Sequence, residues 1–161
     1  MSYTFDSDEE RYFSYWLEEI EEDIESWDLH PEPFILFDGL VVDKKIKLKT
    51  KVKIKEKRLL HSHIYTADFH IIPKNTHGWL SDVFHFDASK GIYIEIKPKF
   101  DMHNMSRLFR LNQKWIYKEY GIFVNMVIVD TLFKQTFVPQ KCAFKKNKER
   151  NKRFEKCELK K

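Results

Sequence analysis

Residues 122–129 read IFVNMVIV, a nearly continuous apolar run of strand length. A strand of that kind must be covered on both faces, because each alternate side chain would otherwise meet water. The rest of the chain therefore has to supply a layer on each side of a sheet. Helices are available for both layers. Phe13, Trp16, Leu17, Ile20 and Ile24 recur at three- and four-residue steps, which predicts a helix from Ser7 to about Ser26, opened by a Ser7/Glu10 capping box. Leu108, Leu111, Trp115 and Ile116 mark a second helix from Arg107 to Tyr120, ended by Gly121. Between them lie extended segments: Phe34 to Val42 interrupted at Asp38-Gly39, His61 to Ile72, and Gly91 to Lys97. His61–Ile72 and Gly91–Lys97 are expected to be antiparallel neighbours. The result is an α/β reading, and 161 residues suit one domain. We place it at residues 1–140, with a basic strand or hairpin insertion at about 44–58, and 141–161 as a basic, flexible tail.

Charge is segregated along this chain. Residues 1–43 hold 14 acids and one base, residues 44–58 nine bases and one acid, and residues 141–161 ten bases and three acids. The internal basic block, KLKTKVKIK from Lys47 to Lys55, alternates lysine with Leu, Thr, Val and Ile. This predicts a half-buried strand with Lys47, Lys49, Lys51, Lys53 and Lys55 on one face. Such a ribbon suits a phosphate backbone, although a solvated lysine-rich hairpin has the same composition.

No window approaches the roughly 20 apolar residues of a membrane span, and the acidic start lacks the basic n-region of a secretory leader. A cytoplasmic protein without a membrane partner is expected. Cys142 and Cys157 lack CxxC spacing and form no recognised zinc set with the seven histidines, so we assign them no task.

Chemistry concentrates in two strands. In GIYIEIK, alternation puts Tyr93, Glu95 and Lys97 on one face and Ile92, Ile94 and Ile96 on the other. In YTADFHII, Asp68 is an acid within an otherwise apolar segment. Burying it alone is costly, and convergence with Glu95 on a divalent cation would remove the cost, since hard ions take oxygen ligands. Lys97 would then position or deprotonate an attacking water. A cross-strand salt bridge between Glu95 and Lys97 is the plainer use of the same residues. Glu9 and Glu10 lie one turn before Phe13, so at least one faces the buried side.

Asp68, then Glu95-Ile96-Lys97 closing an Ile-rich strand, then a helix and another strand, resembles the PD-(D/E)XK nuclease superfamily. Here Ala67-Asp68 stands where the strict form has Pro-Asp, and Pro98 follows Lys97. The likeness covers roughly residues 7–130. It implies a restriction-endonuclease-like αβββαβ core with a mixed central sheet flanked by helices. It also implies a Mg²⁺-dependent DNA endonuclease in which Mn²⁺ substitutes and no small organic cofactor takes part. Asp68, Glu95, the Ile96 carbonyl and Glu10 would hold the metal, with Glu9 as the alternative first-helix acid. Gln113 and Tyr117 fit the Gln-x-x-x-Tyr spacing of one branch. With Arg107, Arg110 and Lys114 they would line the DNA backbone, where His103 and Asn104 could also touch the scissile phosphate. The stretch from Arg107 through FVPQ is similar to small phage-encoded nucleases, including Holliday-junction-resolvase-like members. That implies a host-cytoplasmic enzyme of recombination or repair. Small nucleases of this kind often dimerise and branched DNA is one attractive substrate, but the likeness does not choose between a junction resolvase, a flap or nicking enzyme, a transposition end-cleaving subunit and a repair nuclease. The rival readings are a non-catalytic basic nucleic-acid-binding protein and an assembly protein whose acidic helix pairs with the basic tail of another copy.

Overall fold

The chain was analysed as a computed structural model that describes residues 4–99 and 105–159. It is a mixed α/β protein built on a four-stranded mixed sheet. The sheet has strands β1 (Ile24–Leu29), β6 (Phe69–Pro73), β7 (Ile92–Ile96) and β8 (Val124–Val127), in that spatial order. β1, β6 and β7 pair antiparallel, and β8 pairs parallel to β7. The parallel step requires a crossover, supplied by α3 (Met105–Tyr120), which ends where Gly121 adopts φ +63° and donates to the Tyr117 carbonyl. With α1 (Asp8–Glu19) ahead of the sheet, the elements that build or cover it run α1, β1, β6, β7, α3, β8.

Strand alternation divides the interior into two cores. On one face Phe69, Ile71, Ile92, Ile94 and Val127 pack with Phe13, Trp16 and Leu17 of α1, and with Leu132 and Phe133 of α4 (Val129–Gln135). Leu80, from the short α2 (Leu80–Val83), joins the same core. On the other face Tyr93, Val124 and Met126 pack with Phe109 and Ile116 of α3. A small antiparallel sheet of β2 (Phe34–Phe37) and β5 (His63–Tyr65) completes this second core through Phe34, Leu36 and Tyr65.

Four sequence expectations are corrected. The first helix stops at Glu19 rather than near Ser26. Ile24 keeps its buried position as the first residue of β1, where pairing with β6 satisfies that strand's outer hydrogen bonds. The 61–72 segment is two strands, β5 and β6, broken at 66–68. The lysine-rich segment is a hairpin, the other of its two readings, rather than one strand. β3 (Leu40–Lys47) turns through residues 48–51, where Leu48 N–H donates to Lys51 O, and returns as β4 (Val52–Leu60). Lys47 therefore pairs with Val52 on the face opposite Lys53 and Lys55, Lys49 and Lys51 sit in or beside the turn, and β4 is exposed along its length. Finally, the described part of the expected flexible tail packs onto the first core. Cys142 and Ala143 of α5 (Gln140–Ala143), and Phe154 and Cys157 beyond it, are buried there. Two thiols and one large ring fasten a stretch whose average composition is that of solvated chain. Burial pushes the Cys142 thiol up to about 12, so it stays protonated at neutral pH.

No helix among the described residues is long and apolar enough to cross a membrane.

Candidate active site

Asp68 lies in the break before β6 and is pinned to β7 from both ends. Its N–H donates to the Ile94 carbonyl (3.0 Å), and its Oδ2 accepts from the Ile96 N–H (2.5 Å). Its carbonyl accepts from the N–H of His30, just after β1 (2.9 Å). Glu95, on the α3 side of β7, is buried. Its Oε1 meets Lys97 Nζ at 2.5 Å, and its Oε2 accepts from the Tyr65 hydroxyl at 2.5 Å. Lys97 is itself nearly enclosed, its ammonium 5.9 Å from the centre of the Phe109 ring. Period-two alternation thus delivers Glu95 and Lys97 together as expected, and the sheet register brings Asp68 to the adjoining peptide.

Glu10 is the first-helix acid on the buried side. The N-cap half of the capping box forms, with Glu10 N–H donating to Ser7 Oγ, while the Glu10 carboxylate accepts from the Ser7 hydroxyl through Oε1 and from the Asp6 N–H through Oε2. The imidazole of His30 stands 3.5 Å from Glu10 and 3.7 Å from Asp6, and one ligand atom from each of Asp6, Glu10 and His30 lies within 4.8 Å of the others. His30 is held at φ +48°, although it is neither glycine nor asparagine and precedes a proline.

The electrostatics follow from this crowding. Burial, then the Glu95 charge, and further on the Glu10 charge raise the Asp68 carboxyl to about 7; the Ile96 N–H and Lys97 offset them only in part. Burial first, then the charge of Glu95 and its hydrogen bond, hold the Tyr65 phenol far above its ordinary range, so Tyr65 is a permanent donor. Negative charge thus exceeds what the single ammonium neutralises. The donors are carboxylate oxygens, the set that suits Mg²⁺ or Mn²⁺. Asp68 and Glu95 are the residues able to hold such an ion, with Glu10 in the same field.

No family model, curated protein or solved structure matches this chain.

Several expected site residues go elsewhere. Glu9 turns outward from Asp68 to Arg153, which bonds both Glu9 oxygens at 2.8 Å and also pairs with Asp130. Adjacent helix positions point about 100° apart, so only one of the two acids can face inward. Gln113 spends its amide on the Val124 carbonyl (2.6 Å), a bond that ties α3 to β8 rather than one to the carboxylates. Arg107, Arg110, Lys114 and Tyr117 are exposed on α3. Ile96 is buried and contributes its N–H to Asp68. Of the expected ribbon lysines, Lys47, Lys53 and Lys55 pair within β3 and β4, and Lys49 and Lys51 lie in the turn between them. His103 and Asn104 lie outside the described residues. Sequence reasoning missed Tyr65 and His30. Tyr65 stands three residues before Asp68 in the same motif, and His30 opens the Pro-rich break after β1. Those positions were the available signals.

Proposed function

We propose that this chain is a Mg²⁺-dependent DNA endonuclease of the PD-(D/E)XK type, hydrolysing phosphodiester bonds, with Mn²⁺ able to replace Mg²⁺. The observation that carries the reading is the meeting of Asp68, Glu95 and Lys97 between the start of β6 and the end of β7, with Glu10 adding to the same field. The run α1, β1, β6, β7, α3, β8 supports it, because that is the αβββαβ order of a restriction-endonuclease-like core. A bound divalent cation would supply Lewis acidity toward water and charge stabilisation at the phosphate. Tyr65 orients Glu95 by occupying one carboxylate oxygen, which leaves the orientation of the acid fixed by two donors. Lys97 would hold an attacking water and offset charge on the phosphate. We further propose a phage origin, a branched or junction substrate, and action as a homodimer in the host cytoplasm during recombination or repair.

The test is cleavage of labelled linear, nicked, flapped and four-way-junction DNA with Mg²⁺, Mn²⁺, Ca²⁺ or chelator. Wild type should cut in Mg²⁺ or Mn²⁺, while Glu95→Ala and Lys97→Ala should lose at least about 100-fold in rate yet still bind DNA. Binding by all three proteins with no cutting of any substrate would overturn the enzyme reading in favour of a basic nucleic-acid-binding protein.

A further inference from the structure

The β3–β4 ribbon is the part of the protein that the sheet and its two cores leave unexplained. Its pairing is regular from Val41↔Arg58 to Lys47↔Val52, and residues directly opposite in an antiparallel pair share a face. One face therefore carries Val42, Lys44, Ile46, Lys53, Lys55 and Lys57. It has four lysines and no acid. The other carries Lys45, Lys47 and Arg58 with Asp43 and Glu56, and is nearly balanced. Lys44 lies directly across from Lys55, flanked by Lys53 and Lys57, an arrangement that costs the ribbon stability through like-charge repulsion. Among the described residues no ion pair joins any of these four lysines to a carboxylate. An anion arriving from outside would relieve that repulsion.

We infer that this four-lysine face seats the ribbon in the major groove of B-form duplex DNA, which makes duplex DNA the substrate class of the protein. The inference takes from the nuclease reading only that the polyanion is a nucleic acid. Two strands about 4.8 Å apart with their side chains match a groove about 12 Å wide, which admits a two-stranded ribbon. The deep, narrow major groove of A-form RNA does not. Along β4 the lysines at 53, 55 and 57 recur about every 6.8 Å, twice the 3.4 Å rise per nucleotide of one strand, so each can address its own phosphate. Lysine contacts of this kind hold and orient the duplex without reading its sequence.

The experiment is fluorescence anisotropy with the full chain in chelator, so that no phosphodiester is cut. It uses a 20-bp DNA duplex, one of its strands, and the matching RNA duplex over a salt series. Wild type should bind duplex DNA at least about tenfold more tightly than either competitor. Combining Lys44→Gln, Lys53→Gln, Lys55→Gln and Lys57→Gln should reduce the slope of log K against log salt by about 3 to 4, and Lys55→Gln alone by about 1. Combining Lys45→Gln, Lys47→Gln and Arg58→Gln on the other face should change it by less than about 1. Equal losses from the two faces, equal affinity for the RNA duplex or the single strand, or no binding would overturn the inference. Failure of the nuclease reading appears separately, as absence of cutting in Mg²⁺ by a wild type whose binding follows the expected pattern.

Discussion

Replacing Asp68 with asparagine should stabilise the protein at alkaline pH. Asparagine keeps an oxygen to accept the Ile96 N–H and removes the charge that burial, Glu95 and Glu10 oppose. The Asp68 carboxyl titrates at about 7 in the fold against 3.8 in the unfolded chain. An acid whose pKa is raised by folding destabilises the fold when ionised, and the penalty is relieved as pH falls through the folded value. A displacement of about three pH units corresponds to about 4 kcal/mol at pH 8, about 2 kcal/mol at pH 5 and none below about pH 3. Urea unfolding of wild type and Asp68→Asn in chelator across pH 5–8 reads this difference directly. Mg²⁺ should then narrow the gap, stabilising wild type at pH 8 and leaving Asp68→Asn unmoved, because only an ion bound to the native state adds to stability. A variant less stable than wild type at pH 8, or a difference flat between pH 5 and pH 8, would refute the crowded-carboxylate account.

Tyr65→Phe removes the buried donor to Glu95 and should cost about 2 kcal/mol at pH 7 by urea unfolding, as expected for a hydrogen bond to a charged group; no change would mean that Glu95 does not depend on it. Phe154→Ala should cost about 3 to 5 kcal/mol, since its ring is fully enclosed against Tyr12 and Phe133; a loss below about 0.5 kcal/mol would return residues 141–159 to a free tail.

What could be read in advance was whatever local spacing decides. The Ser7/Glu10 cap, the split of GIYIEIK into an isoleucine face and an acid–lysine face, and the stop of α3 at Gly121 all lie within a few residues of their cause. The end of α1 does not. Ile20 and Ile24 satisfy helical spacing equally well, and only the pairing of Ile24 with Pro73, far along the chain, makes residue 24 a strand position. Spacing could not separate the strand and hairpin readings of residues 44–58, because residues 48–51 contain no glycine or proline and lysine alternation runs through the turn unbroken. Glu10 could not be separated from Glu9 by spacing, because the partner that claims Glu9 is Arg153, 144 residues away.

That last contact ties the end of the chain to the site. α1 carries Glu10, and segments beyond residue 130 grip α1 along its length. Arg153 holds Glu9, Lys141 pairs with Glu18, Gln140 N–H donates to Glu19, and Thr136 accepts from the Trp16 indole. The exposed pairs among these contribute little singly. The Trp16 and Phe154 rings do more, because both are fully buried and fix how α1 lies on the sheet. A helix free to tilt would move Glu10 relative to Asp68, and with it the field that raises the Asp68 carboxyl. The closing segment is thus part of the scaffold that assembles four chemical groups from α1, the break before β6 and the end of β7. Its described lysines remain at the surface while two thiols and a ring do the fastening. Loss of that anchor should therefore appear twice, as lost stability and as a lower titration point for Asp68, whereas Tyr65→Phe leaves α1 seated and touches Glu95 alone.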